Sequence, residues 1–400
     1  MPVLPTHCTN RNCPNYHDPP ERWCYRHGSY HTRAFGWVQR YRCSCCRTTV
    51  SDQTESVNYY SKRPLDIQHV GKALVGRSMH EAAKQMEVTD AVIFNHVFRA
   101  GRQSMAAQVH MLDGMPKRDK VAFDGLRSFV TSQDFPCDIT TVVDSDSETI
   151  LTMIQSIFRR GGRVTSAQRR RMIRKLAVWQ PKKLSMSRDI AVLIHEMLSY
   201  LTLTLEEPAI VDTDEHWLYR KQLNQGLPAQ YIRQQVLIHR QTSAKAPRTW
   251  RNPLFAVNYV DQMLRHREKE HTRETIAFGR SSVMQMHRAW MWAWEHNAMR
   301  PYRERHPELG VHAAQGVITE EQLEEITAEF SERRISLRGK VVPRSIYDVW
   351  SAEIPNPPMR WLKAEQKQRK PRIPAYCLRD LEEGILQELP ASIPEPVARV

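Results

Sequence analysis

The chain has 400 residues, among them 24 prolines and 15 glycines, and a formal net charge of +14 at pH 7. That length is too great for one small core and predicts two or three folded units, while so little glycine excludes a repetitive or fibrous chain. The basic excess predicts a polyanionic partner, nucleic acid first. A mean hydropathy of −0.58, with no apolar run near the roughly 20 residues a bilayer requires, excludes a membrane span. The opening MPVLPTHCTN has neither the charged nor the apolar region of a signal peptide, so a reducing, cytoplasmic location is expected. In such a compartment clustered cysteines are metal ligands more often than disulfides.

Residues 1–55 form the first unit. Six of the eight cysteines fall here, as Cys8, Cys13, Cys24, Cys43, Cys45 and Cys46. Cys8 with Cys13 and Cys43 with Cys46 make two knuckles, close to the frame of a zinc ribbon, and a structural Zn2+ is expected on those four thiolates. Cys24 and Cys45 are surplus, and His7 or His17 could replace one ligand. The aromatic and β-branched run Trp37 to Arg42 predicts a short strand entering the second knuckle. With few large aliphatics, this unit would owe much of its stability to the metal.

The second unit, residues 62–112, has helical periodicity. Leu65, Ile67, Val70, Leu74 and Val75 make one apolar stripe ended by Gly76; Ser78 and Glu81 have capping-box spacing, and Thr89 can cap a further helix. Two short helices joined by a tight turn predict a helix-turn-helix, with Thr89, Asn95, Arg99 and Arg102 facing DNA. A plain three-helix bundle is the alternative.

The third unit, residues 118–305, changes to strand periodicity. Segments 121–130, 137–146 and 148–154 predict a three-stranded meander, with Asp124 inside the first strand, where a carboxylate is costly unless paired or bound to a cation. A basic insertion, 159–187, follows. From Arg159 to Lys183 it holds ten Lys or Arg and no acid, and Arg169, Arg170, Arg171, Arg174 and Lys175 are candidates to meet phosphate. A helix over 188–203 precedes the strand PAIV and the acidic stretch VDTDEHWLY, which carries Asp212, Asp214 and Glu215. In the helix MHRAWMWAWEHN, Trp290 and Trp294 are read as core. Residues 306–400 supply a surface helix over 318–334, a basic linker over 363–372 and a disordered end from Pro390.

The cysteine ribbon ending in GWVQRYRCSCCRTTVS, the helix-turn-helix, Asp124 in FDGLRSF, Asp214 in TDEHWLY and the block NPLFAVNYVDQMLRHREKEHTRETIAFGR together resemble prokaryotic insertion-sequence transposases with a DDE-type catalytic domain. The resemblance implies a mixed α/β, multidomain chain whose catalytic domain is RNase H-like, or retroviral-integrase-like. There the first and fourth strands lie side by side, so Asp124 and Asp214 would share Mg2+ or Mn2+ for phosphodiester hydrolysis and strand transfer. It also implies double-stranded DNA as partner, at the element ends and the target, action as a homodimer or higher oligomer, and a place on the nucleoid. The family has a Glu seven positions before a Lys or Arg. Here Arg265 is preceded at that distance by Asn258; Asp261, one turn on, or Glu295 could supply the missing carboxylate. Asp212 and Glu215 are read as solvated turn residues. The alternatives are a DNA-binding regulator derived from such an enzyme and a nuclease without joining activity.

Overall fold

The computed structural model describes residues 5–243, 245–272, 277–358 and 373–388. Its first unit has one helical turn, α1 (Pro14–His17), and an antiparallel sheet in the order β1 (Cys24–Thr32), β2 (Gly36–Cys43), β3 (Thr49–Ser51). The expected strand from Trp37 lies inside β2. Cys8, Cys13, Trp23, Cys43 and Val50 make its core, with Tyr16 and Val38 also buried, which is too little apolar surface to offset chain entropy unaided.

Three helices follow: α2 (Ile67–Leu74), α3 (Met79–Gln85) and α4 (Asp90–Asp113). Asp66 caps α2 through His69 N, and Ser78 with Glu81 forms the expected capping box on α3. Thr89 stands at the N-cap of α4 without a side-chain cap bond. Val70, Leu74, Ala82, Ala83, Ile93 and Val97 pack these helices together. The last helix does not stop with the bundle: α4 has 24 residues, about 36 Å at 1.5 Å per residue, and its second half is buried in the main core.

That core surrounds a five-stranded sheet of β4 (Lys120–Phe129), β5 (Pro136–Asp144), β6 (Ile150–Ile157), β7 (Ala209–Asp214) and β8 (Leu237–Thr242), in the order β6-β5-β4-β7-β8. The first three strands are the expected antiparallel meander, and β7 and β8 run parallel to β4. Alternation along β4 divides the layers. Val121 and Phe123 face α6 (Ser185–Leu198) and α7 (Trp217–Leu223), whereas Ala122 and Leu126 face α4, α9 (Phe255–Arg267) and α10 (Ser282–Ala298). The basic helix α5 (Ser166–Val178) lies between β6 and α6, and α8 (Gly226–Arg233) leads into β8.

Trp290, Trp292 and Trp294 are fully buried on α10, as core packing requires. The described residues after 306 share that core. In α11 (Glu320–Glu332), Ile326 and Phe330 are buried, and Phe330 stacks on Trp294 with centroids 5.5 Å apart. A parallel pair of β9 (Val341–Val342) and β10 (Ile385–Leu386), with α12 (Arg344–Trp350) and α13 (Ala375–Glu382), completes the layer. Glu196 of α6 receives Ser345 N and Oγ, both at 2.7 Å, tying α12 to the layer on the other face. The stretch 363–372 and the end from Pro390 lie outside the described residues. Among those described, no helix is long and apolar enough to cross a membrane.

Phe330→Ala is expected to lower unfolding free energy by roughly 3–5 kcal/mol in urea titrations. Glu324→Ala, on the exposed side of the same helix, should stay within about 0.5 kcal/mol.

Candidate functional site

Strand register brings the first two predicted carboxylates together. Phe123 of β4 stands opposite Thr213 of β7, and the next step of the same parallel register sets Asp124 beside Asp214 on one face of the sheet. Over that face α9 carries Asn258, Asp261 and Arg265, spaced by three and four residues so that they share one side of the helix. Asp124, Asn258, Asp261 and Arg265 all line an open cleft of about 410 Å³, together with Gly125, Arg248, Phe255, Tyr259 and Gln262. Glu295 does not line it; its carboxylate meets Arg267 at 2.7 Å.

The acids of this region share one field. Burial pushes the Asp124 carboxyl up to about 7, with Asp214 and Asp138 adding to the rise against a hydrogen bond from its neighbour Gly125 and the charge of Arg248. Asp261 is raised well above the carboxylate range by burial and then by Asp124 and Asp138, with Arg265 and Arg248 opposing. Asp261 Oδ1 is buried without a hydrogen-bond partner. By contrast, Asp124 Oδ1 accepts from Gly125 N at 2.7 Å and Asp214 Oδ1 from His216 N at 2.8 Å. Besides burial, the charges of Asp124, Asp138, Asp214 and Asp261 all raise the pKa of the Tyr219 phenol.

Two acids differ from the sequence reading. Asp212 is no solvated turn residue: it is fully buried and receives Arg240 Nε and Nη2 at 2.8 Å each, with Lys120 at 3.8 Å. Strand alternation turns it into the sheet region while Glu215, past the strand, is exposed as expected. Asp138, which sequence reasoning missed, is a buried carboxylate of β5 held by Arg127 at 2.9 Å and Thr140 Oγ1 at 2.9 Å. Its signal was Gly125, directly after Asp124: a Cβ there would lie 2.1 Å from Asp138 Oδ1, so glycine is what lets that carboxylate approach β4.

The cysteines form the second centre. Cys8, Cys13, Cys43 and Cys46 have their sulfurs within 4.8 Å of one another; among the described residues no other group of three or more His, Cys, Asp or Glu ligand atoms is so close. Cys8 and Cys46 are 3.4 Å apart and Cys13 and Cys43 3.7 Å, against about 3.8 Å between sulfurs around a tetrahedral zinc with bonds of about 2.3 Å. Such a cluster could hold a metal such as zinc. Asn10 N donates to Cys8 Sγ at 3.4 Å and Asn15 Nδ2 to Cys43 Sγ at 3.3 Å, which favours negative sulfur. Burial pushes the Cys8 and Cys13 thiols up, Cys13 to about 11. At Cys46 burial is outweighed by hydrogen bonds from Thr48 and Cys8, which pull it down to about 6. The surplus Cys45 is exposed, and Cys24 stands outside the four.

The residues expected to face DNA divide. Thr89 and Asn95 are exposed. Arg99 and Arg102 turn inward, Arg99 bonding Val57 O at 2.8 Å and Tyr376 OH at 3.0 Å, and Arg102 being only 8% exposed; α4 presents that side to Trp350 and Tyr376 of the C-terminal segment. On α5, Arg169, Arg170 and Arg174 face solvent. Arg171 and Lys175, together with Arg160, pair with Asp134, which supplies the counter-charge missing from the stretch itself. Sequence reasoning also missed the β1–β2 hairpin, where Tyr25, Tyr30 and Trp37 are exposed beside Arg26, Arg33 and Arg40, with Trp37 74% exposed.

The class these features define is a mixed α/β protein with a four-cysteine cluster able to hold a metal. A scan against protein-family models finds no match, and a search of curated proteins finds none either.

Purified under reducing conditions, the protein should carry about one zinc per chain, read by elemental analysis. Cys43→Ser should lose it, and Cys45→Ser should keep it. Gly125→Ala is expected to lower the melting temperature, and Gly125→Ala/Asp138→Ala to recover most of the loss.

Proposed function

We propose that the protein is a DNA transposase of an insertion sequence, which binds the ends of its element and catalyses phosphodiester hydrolysis and strand transfer. The observation that carries this reading is the convergence, from separate parts of the chain, of Asp124 and Asp214 on adjacent parallel strands with Asn258, Asp261 and Arg265 on α9. A sheet of order 3-2-1-4-5, its last two strands parallel to the first, supports the RNase H-like fold that the resemblance implies. The +14 charge and the exposed Arg169, Arg170 and Arg174 support DNA as the partner.

The donors are of the oxygen type a hard divalent cation takes, although the three carboxylates do not all come within 4.8 Å of one another in this structure. Asp214 raises the pKa of Asp124, Asp124 raises that of Asp261, and an Asp261 oxygen is buried without a partner, which is what such an ion would neutralise. Asp124, Asp214 and Asp261 would hold it, with the amide of Asn258 as a further oxygen. Mg2+ or Mn2+ bound there would make an attacking oxygen more nucleophilic and stabilise the leaving one. Arg248 and Arg265, on the walls of the cleft, would take the phosphate oxygens and orient the strand. In the proposed sequence water attacks a phosphodiester at the element end, leaving a 3′-hydroxyl and a 5′-phosphate, and that hydroxyl then attacks a target phosphodiester, joining to its phosphorus as the target strand's 3′-oxygen leaves. The cysteine cluster is proposed as a structural zinc site, and the protein as a homodimer or higher oligomer acting on the nucleoid.

Nicking and strand transfer should be assayed with Mg2+ or Mn2+ on DNA carrying the sequences that flank the gene. Asp124→Ala and Asp214→Ala should each cut activity by roughly a hundredfold or more while circular dichroism stays unchanged, because either loss removes several kcal/mol of charge stabilisation. Undiminished activity in both variants refutes the site. If the wild type binds these ends but never cuts, the protein is a regulator; cutting without joining makes it a nuclease. Asp261→Ala compared with Asn258→Ala identifies the third partner, Asp261→Ala being expected to cost more.

A further inference from the structure

Arg99 and Arg102, three residues apart on α4, face one another's side of a cavity of about 70 Å³, which they line with Asn95, Phe98, His287 and Tyr376. No carboxylate is among the described residues that line it. Arg99 has partners in Val57 O and Tyr376 OH. Arg102 has no such partner: though only 8% exposed, it makes no hydrogen bond and no ion pair among the described residues, its guanidinium lies 5.9 Å from the centroid of the Phe98 ring, and Asp380, across an adjoining pocket, attracts it only at longer range. The nearby acid Asp380 is taken by Arg334 at 2.8 Å. His287 brings no negative charge, and its buried Nδ1 also lacks a partner. Burial and the proximity of Arg102 depress the pKa of Arg99, which marks two cations held close in a poorly solvated place.

A buried guanidinium without an ion pair of its own is costly. Folds retain such a group where a ligand supplies the missing charge. A guanidinium offers its N–H donors in a planar fork that matches tetrahedral oxyanions, and the cavity has room for one such group. We propose that this cavity binds a phosphate group, carried either by free phosphate or by the 5′ end of a DNA strand. Arg102 is the principal donor, Arg99 completes the positive wall, and the exposed Asn95 stands at the mouth. The site stands on its own observations and does not rest on the proposed catalysis.

The full-length protein should be titrated with inorganic phosphate by calorimetry and thermal melting, with chloride at equal ionic strength as control. Saturable binding, and a rise in melting temperature that chloride does not reproduce, are expected. Arg102→Met should weaken phosphate roughly tenfold or more, the value of a charge-assisted bond. Without phosphate, that variant should melt at or above the wild type, since it removes an uncompensated buried charge; a residue that merely held the fold would lower it. Asn95→Asp, exposed at the mouth, should weaken phosphate by repulsion at little cost in stability, and keeps the test open if Arg102→Met fails to fold. Absence of saturable binding by the wild type, or an unchanged response in the variants, overturns the proposal. Competition by a 5′-phosphorylated duplex but not by its unphosphorylated twin assigns the phosphate to a DNA end. Equal behaviour of the twins assigns it to free phosphate.

Discussion

Asp212 joins three strands: its carboxylate receives Arg240 of β8 through two bonds of 2.8 Å and stands 3.8 Å from Lys120 of β4. Two cations around one fully buried anion offset much of its desolvation, where a single partner seldom suffices. The result is a fixed register among β4, β7 and β8, and register decides which side chains meet. A slip of one residue would send Asp214 to the face of Phe123 and Tyr219 and leave Asp124 beside a different partner. The arrangement of the cleft therefore depends on an acid that does not line it.

The same economy of charge runs through the molecule. Despite its basic excess, the chain commits acids to several cations held inward: Asp134 gathers Arg160, Arg171 and Lys175, and Asp144 holds Arg118. The cleft breaks that habit. Asp124 and Asp261 have no ion-pair partner there among the described residues, only the more distant fields of Arg248 and Arg265. Carboxylates left uncompensated in a partly buried place mark where a cation is to be supplied from outside, and that contrast with the rest of the chain supports the proposed metal.

What was legible in the sequence follows from the range of the forces involved. Local rules carried far: the capping box at Ser78 and Glu81, the aromatic run that became β2, the meander with Asp124 inside it, and the four cysteines at knuckle spacing all depend on neighbours a few residues away. Long-range packing did not show. The strand β8 is apolar only at Leu237 and Ile238 and polar over its last four positions, and it sits at the sheet edge, so its signal was slight beside the helices around it. Arg99 and Arg102 looked like the end of a recognition helix because nothing within reach on the chain could cover them; the cover comes from Trp350 and Tyr376. Asp212 and Asp214 look alike in sequence and lie on one side of their strand. What separates them is Arg240, from a strand that was not foreseen.

The third ligand is where sequence and structure constrain one another most. Asn258, Asp261 and Arg265 stand on one face of α9, so the helix that aims Arg265 into the cleft aims both candidates with it. An amide brings an oxygen without charge, and a site already holding Asp124 and Asp214 would bind a divalent ion more weakly for the lack of a third anion. Asp261 answers that need one turn along the helix. Its Oδ1 has no hydrogen bond to lose on binding an ion, and a cation beside it would offset the repulsion from Asp124 that raises its pKa. In the proposed enzyme, asparagine at the family's usual glutamate position then shifts the carboxylate by a turn, to Asp261, without removing it.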